Sequence, residues 1–175
     1  MQKHIMEKND IERIISRMAL EILERTDDSS PLVFIGIKNR GDILADRLAK
    51  KIESVDGRAV ESSAIDITFY RDDVDLKAYK YIFKKDIQFE VNEKNVVLVD
   101  DVIFTGRSVR AALDAIVDSG RAKSIQLAVL IDRGGREFPI QPDYFGKKIQ
   151  ADLDSDVQVM FNETDNEDKV IITWE

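Results

Sequence analysis

The sequence predicts an α/β fold built on a mostly parallel sheet with helices on both faces. Short apolar runs recur at Leu32 to Ile37, Val96 to Val99 and Ser124 to Ile131, and such runs suit strands buried on both sides. Between them lie segments whose apolar residues repeat at helical spacing. Polar, glycine-bearing stretches follow the runs directly, at the end of the sheet where such folds bind ligands. With no internal repeat or clear linker, the 175 residues read as one domain.

In chain order, Asn9 to Arg25 is expected to be an amphipathic helix, with Ile11, Ile14, Ile15, Met18, Ile22 and Leu23 on its apolar side. Asn9 and Glu12 match a capping box. Asp27 to Pro31 is a turn-rich break before the first buried strand. Asp42 to Ile52 predicts a second helix. Ala64 to Tyr70 alternates, with Ile65, Ile67 and Phe69 facing one way, as in a strand with one polar face. Arg71 to Glu93 is polar and mixed, and predicts a long loop with a weak hairpin. Val96 to Val99 runs into Asp100 and Asp101, then a loop and a helix from about Ser108 to Asp118, with Gly120 at its C-terminal cap. Ser124 to Ile131 is a further strand. Val157 to Phe161 and Val170 to Trp174 are short strand-like pieces in the last third.

Composition removes several chemistries. The chain has no cysteine, so disulfides and thiolate metal sites are excluded. Its one histidine, His4, falls in the first few residues and reads as part of a mobile end, which leaves no histidine for a triad or a zinc site. The formal net charge of -8 repels nucleic acid as a whole, so RNA binding needs a local basic patch. No apolar run is long enough for a bilayer, and Met1 to His4 is not followed by a signal core. The simplest reading is a cytoplasmic protein.

The chemistry concentrates in Val96 to Val109, VVLVDDVIFTGRSV. An apolar strand delivers two carboxylates, Asp100 and Asp101, to its C-terminal end. Thr105, Gly106, Arg107 and Ser108 follow, and then a helix begins. Backbone N–H groups at a helix start favour a phosphate, hydroxyls add donors, and glycine lets the backbone come close. One end of the site suits an anion, and the other suits sugar hydroxyls or a cation. The pattern is not a Walker A loop, and no GxGxxG occurs.

This segment resembles the binding signature for 5-phosphoribosyl-1-diphosphate (PRPP) in type I phosphoribosyltransferases. GIKNRG (Gly36 to Gly41), DITFYRDD (Asp66 to Asp73), SIQLAVLIDRGGREFPI (Ser124 to Ile140) and DYFGK (Asp143 to Lys147) extend the likeness over nearly the whole chain. Together they resemble the PyrR family of pyrimidine operon regulators and uracil phosphoribosyltransferases. The resemblance implies a Rossmann-like mostly parallel sheet flanked by helices, with a flexible lid at about 71–93 and a small hood at about 136–161. It implies conversion of uracil and PRPP to UMP and pyrophosphate with Mg2+, in a homo-oligomer.

On that resemblance, Asp100 and Asp101 hold the ribose hydroxyls, and Thr105, Gly106, Arg107 and Ser108 hold the 5-phosphate. Lys38, Asn39, Arg40 and Gly41 meet the pyrophosphate, in a loop that often contains a cis peptide in the family. Arg71 and Asp72 open a lid shorter than the family's usual one. Asp132 is an indirect magnesium contact, the metal otherwise arriving with PRPP. The family also binds an RNA hairpin through its N-terminal helix and the region near the hood. Here Arg13, Arg17 and Arg25 are offset by Glu12, Glu21 and Glu24. Leu20, Gln141 and Gly135 replace the family's frequent histidine, arginine and histidine. Arg121, Lys123, Lys147 and Lys148 remain as a candidate patch. A purine phosphoribosyltransferase would carry the same PRPP signature.

Overall fold

The computed structural model describes residues 1–67 and 87–174. Strands β1 (Gln2–Glu7), β2 (Leu32–Ile37), β3 (Glu61–Ile65), β4 (Asn95–Ile103), β5 (Ser124–Asp132), β6 (Tyr144–Lys148), β7 (Ser155–Met160) and β8 (Lys169–Trp174) alternate with helices α1 (Lys8–Arg25), α2 (Gly41–Asp56), α3 (Arg107–Ser119) and α4 (Asn162–Asp165). Five strands form a parallel sheet in the order β3-β2-β4-β5-β6.

Its central strands are apolar on both faces, as their composition requires. Phe34, Val97, Val99, Ala128 and Leu130 face a core shared with α1 and α2. Val33, Ile35, Val96, Leu98, Leu127 and Val129 face the opposite core, under α3. Ile87 and Val91 join this second core. Residues 71–86 of the expected lid, including Arg71 and Asp72, lie outside the described residues.

A second sheet is antiparallel, in the order β1-β8-β7. It draws on residues from the start of the chain and on the last third, so the region 136–161 contributes β6 to the large sheet and β7 to the small one. Val157, Val159, Val170 and Ile172 of the small sheet pack into the α1–α2 core. His4, expected in a mobile end, instead sits within β1, where its exposed ring bonds Glu7 Oε1 at 2.9 Å.

Several local expectations shift. The strand expected over Ala64 to Tyr70 instead spans Glu61–Ile65, Asp66 and Ile67 lie beyond its end, and 68–70 fall outside the described residues. Helix α1 begins one residue early, and the Glu7 N–H donates to Asp10 Oδ2 at 3.0 Å, so the capping pair is Glu7 and Asp10 rather than Asn9 and Glu12. Strand β4 does not stop at Val99 but carries Asp100 and Asp101 in the sheet and ends at Ile103. Gly120 does follow α3, but with an extended φ of 162°. Glycine is needed there for space, because a Cβ would lie 2.6 Å from Asn92 Oδ1.

Candidate active site

Three loops meet at the C-terminal end of the parallel sheet. Helix start α2 follows β2, helix start α3 follows β4, and the turn after β5 lies beside them. This is where open α/β sheets place ligands.

The β2–α2 loop holds Lys38, Asn39, Arg40 and Gly41. The Lys38 N–H donates to Ile65 O at 2.9 Å, tying the loop to the end of β3. The Lys38–Asn39 peptide is cis, and Arg40 has a φ of 76°, a region few residues with a Cβ adopt. Gly41 lies against the end of β4, and a Cβ there would sit 2.6 Å from Val99 O and 3.4 Å from Asp100 Oδ1. Glycine thus lets this loop touch the carboxylate-bearing strand.

Asp100 is 6% exposed, and its Oδ1 accepts the Asp101 N–H at 2.9 Å. Asp101 Oδ1 accepts the Val102 N–H at 2.8 Å. Burial pushes the Asp100 carboxyl well above the ordinary range, and the charge of Asp101 pushes it the same way. Burial also raises Asp101, against the opposing pull of its hydrogen bonds and of Arg40. Two adjacent carboxyls held this way are poised to receive hydroxyl donors or a cation.

The β4–α3 loop supplies Thr105, Gly106, Arg107 and Ser108. Gly106 has a φ of 88°, the left-handed conformation that favours glycine, and α3 starts at the next residue. The Arg107 N–H donates to Thr105 Oγ1 at 3.3 Å. The first N–H groups of a helix have no partner within it, an arrangement that suits an anion. The Arg107 side chain turns to Glu137, its Nε bonding Oε2 at 2.7 Å, and packs over Phe138. The N–H groups of Glu137 and Phe138 donate to Thr105 O at 2.9 and 3.2 Å, which binds the following region onto this loop.

Asp132, at the end of β5, is 2% exposed, and its Oδ1 accepts the Gly134 N–H at 3.0 Å and Arg136 Nη2 at 2.8 Å. Arg136 also donates to Phe104 O, Gly134 O and Ile140 O. The guanidinium of Arg136 thereby fastens the β5 turn to the β4–α3 loop. Arg133 stacks 4.1 Å over Phe104 and donates to Asp152 O and Ser155 O. Among the described residues no cluster of three or more metal-ligating side chains occurs.

The chain matches the Phosphoribosyl transferase domain family over residues 1–164. It is 50% identical over 169 residues to the bifunctional protein PyrR of Pelotomaculum thermopropionicum, covering 96% of this chain and 93% of that one. Identity to the bifunctional protein PyrR of Clostridioides difficile is 49% over 169 residues, covering 96% of each chain. The chain belongs to the PyrR family of phosphoribosyl transferases.

Solved structures share the fold at low identity. A hypoxanthine phosphoribosyltransferase of Staphylococcus aureus superposes with a TM-score of 0.73 at 20% identity, covering 99% of this chain and 92% of that one. One from Trypanosoma cruzi gives 0.73 at 18%, covering 97% and 95%. At such identities only the fold is compared.

The PyrR-family site thus gathers Lys38 to Gly41, Asp100, Asp101, Thr105 to Ser108 and Asp132 at one sheet end, while Arg71 lies outside the described residues. The basic patch does not gather. Arg121 and Lys123 precede β5, whereas Lys147 and Lys148 close β6 beside the end of β5. In a parallel sheet those are opposite ends, about 25 Å apart at ~3.3 Å per residue. The contact of Arg136 with Phe104 O had no signal in the local sequence, because it joins residues 32 apart. A hollow of about 980 Å3 lies elsewhere, between α1, α2 and α4. It is lined by mixed charges such as Lys8, Glu12, Lys50 and Glu163 and shares no residue with the three loops.

Proposed function

We propose that this chain is a uracil phosphoribosyltransferase, converting uracil and PRPP to UMP and pyrophosphate. The observation that carries the reading is the Asp100–Asp101 pair near the end of β4, Asp100 buried and Asp101 half-buried, set between the helix start at Thr105 to Ser108 and the cationic Lys38–Arg40 loop. A ribose with phosphate at one end and pyrophosphate at the other has that charge pattern.

In the reaction, the bond from the anomeric carbon to the pyrophosphate oxygen breaks, and its electron pair leaves with pyrophosphate. A uracil nitrogen donates a pair to the same carbon, and its proton passes to solvent. By analogy with glycoside cleavage, the transition state resembles an oxocarbenium ion. Lys38 and Arg40 offset the charge growing on the leaving group. The Asp100–Asp101 pair and the Thr105–Ser108 loop hold the ribose and its 5-phosphate, which places the anomeric carbon beside the base. Asp132 would meet Mg2+ indirectly, and the metal would otherwise arrive with PRPP and keep substrate oxygens and waters as ligands. Bound with PRPP, the metal supplies further neutralisation of the pyrophosphate. Arg71 keeps its proposed place in the lid, and 136–161 its proposed place over the base.

Turnover with PRPP is expected for uracil and not for hypoxanthine, guanine, adenine or orotate, measured side by side. Turnover confined to a purine would overturn the base assignment.

A second activity, RNA-binding attenuation, is favoured by the word "bifunctional" in the relatives' names and by a row of cations where α1 crosses β6. Arg13, Arg17 and Lys147 line one hollow there together with Asp10, which pairs with Arg13, while Arg17 pairs with Glu21 and Arg25 reaches Asp143 O at 3.2 Å. Filter binding to a pyrimidine-operon leader RNA should weaken as salt rises. Binding that is absent at low salt leaves the transferase alone. Homo-oligomerisation is part of the same reading and is checked by sedimentation. Among the described residues no helix is long and apolar enough to cross a membrane.

A further inference from the structure

We propose that Asp165, in the short helix α4 of the small sheet, is a positioning residue that aims the Arg40 guanidinium at the pyrophosphate. This rests on the transferase reading above.

Arg40 Nη2 donates to Asp165 Oδ1 at 2.9 Å, and Arg40 Nε approaches Asp165 Oδ2 at 3.4 Å. The pair is a fork on one edge of the guanidinium. Arginine has five N–H donors in a rigid plane, so a fork on the Nε–Nη2 edge leaves donors on the far edge for an anion. Holding one edge fixes the direction of the other.

The carboxylate is itself held before Arg40 arrives. Asp165 Oδ2 accepts the Phe161 N–H at 2.9 Å and Thr164 Oγ1 at 2.9 Å. The helix that carries it is clamped in turn. Arg47, on α2, bonds Glu163 Oε1 at 2.9 Å and Asp168 Oδ1 at 2.7 Å and packs 4.6 Å over Phe161. Asp168 Oδ1 also accepts the Asn162 N–H at 2.7 Å. Arg40 and Arg47 are two helical turns apart on α2 and its cap, so they lie on one side of it. The small sheet therefore grips α2 at two points, and one of them is the predicted pyrophosphate ligand.

A free arginine loses much rotamer freedom when it is ordered. Ordering Arg40 in advance removes that cost from the binding step. A surface ion pair would have no need of such support. The Asp165 side chain is only 14% exposed and its geometry is fixed from three directions.

The test compares Asp165→Asn with wild type by titration calorimetry, using pyrophosphate with Mg2+ in one series and UMP in another. D165N is nearly isosteric; it removes the charge and turns one of the two acceptor oxygens into an NH2 donor. Pyrophosphate affinity is expected to fall on the order of tenfold, as loss of a charge-assisted bond implies. UMP affinity should stay within about twofold. In an Arg40→Ala background, D165N should have no further effect on pyrophosphate, because the two act as one unit. Arg47→Lys, which loosens the helix that carries Asp165, should lower Tm and weaken pyrophosphate binding selectively but less than D165N. Equal loss of both ligands in D165N, unchanged pyrophosphate affinity, or full additivity with R40A overturns the proposal. If D165N does not fold, Thr164→Val removes one anchor of Oδ2. It should give a smaller selective loss, and no selective loss overturns the proposal. A wild-type chain that binds neither ligand overturns the transferase reading itself.

Discussion

At the scale of single residues, the site is built from groups kept in states they would not choose in water. Asp100 sits in a sheet with its carboxyl pushed up by burial and then by Asp101. A carboxyl whose folded pKa is raised adds stability at low pH, and that stability is lost as pH rises through the folded value. Above the unfolded carboxylate range this carboxyl therefore works against the fold. Asp100→Asn keeps an oxygen for the Asp101 N–H and removes the charge. Turnover is expected to fall about 100-fold through lost positioning of the ribose, while Tm at pH 7 rises. Each 1 kcal/mol gained is worth about 2–4 °C for a chain of this size. The gain should shrink as pH is lowered toward the unfolded carboxylate range, where wild type is protonated as well. Scanning calorimetry at pH 5 and pH 7 beside an activity assay checks this. A variant both inactive and less stable at pH 7 would contradict this role of Asp100.

At the scale of elements, the pyrophosphate loop depends on contacts that allow no side chain. A Cβ on Gly36 would lie 2.3 Å from Asp42 Cα and 2.5 Å from Gly41 O, both backbone atoms. Gly36→Ala must push α2 away from β2. The expected cost is about 1–3 kcal/mol, with a larger relative rise in KM for PRPP than for uracil, because the shift falls on the loop and not on the base side. Urea unfolding and steady-state kinetics on one preparation measure both. The clamp between α2 and α4 has a different weight. Arg47 pairs with Asp168, whose side chain is 5% exposed, and with the more open Glu163. Burial would drive Arg47 toward losing its proton, yet its hydrogen bonds to Glu163 and Asp168 outweigh this and raise its pKa. Burial likewise works against the Asp168 anion, but Arg47 and the Asn162 N–H hold its carboxyl below the ordinary range. Arg47→Leu leaves that buried carboxylate without its cation, which costs about 3 kcal/mol. The loss should be largest near neutral pH and shrink as pH falls through the lowered Asp168 value, because only the ionised form needs the partner.

At the scale of the molecule, residues from both ends of the chain close the small sheet. Strand β1 pairs with β8, Met6 is buried, and Trp174 N–H donates to Met1 O at 3.0 Å. Removing residues 1–7 exposes an edge of β8 and empties the Met6 position. The expected loss is at least about 2 kcal/mol, as for truncating a buried Met, or roughly 4–8 °C in Tm. Because β7 leads into α4, the truncation should also raise the KM for PRPP. An unchanged Tm would show that the small sheet stands without β1.

Legibility followed sequence distance. The strands at Leu32 and Ser124, the helices at Asp42 and Ser108, and the loops beside them were readable because each depends on period and on neighbouring residues. Both faces of β2, β4 and β5 are apolar, so a buried parallel strand could be read without knowing what covers it. The Asp-Asp, Thr-Gly-Arg-Ser and Lys-Asn-Arg-Gly segments were readable for the same reason. The end of β4 was misplaced because the charges of Asp100 and Asp101 suggest a loop, whereas pairing with β5 keeps both in the sheet. The start of the chain was misread as mobile because a lone edge strand carries no signal of its own, and its partner β8 lies some 165 residues away.

The amino-acid order by itself determined the local chemistry, namely which strands are buried, where carboxylates, hydroxyls and glycines follow them, and which family they mark. Only the tertiary structure decided that Asp165 meets Arg40 across 125 residues, that Arg136 joins two loops, and that the basic residues divide between opposite sheet ends. Period and turn chemistry act over a few residues and are written in the chain. Contacts between distant side chains arise only when the packed sheet fixes both ends in space.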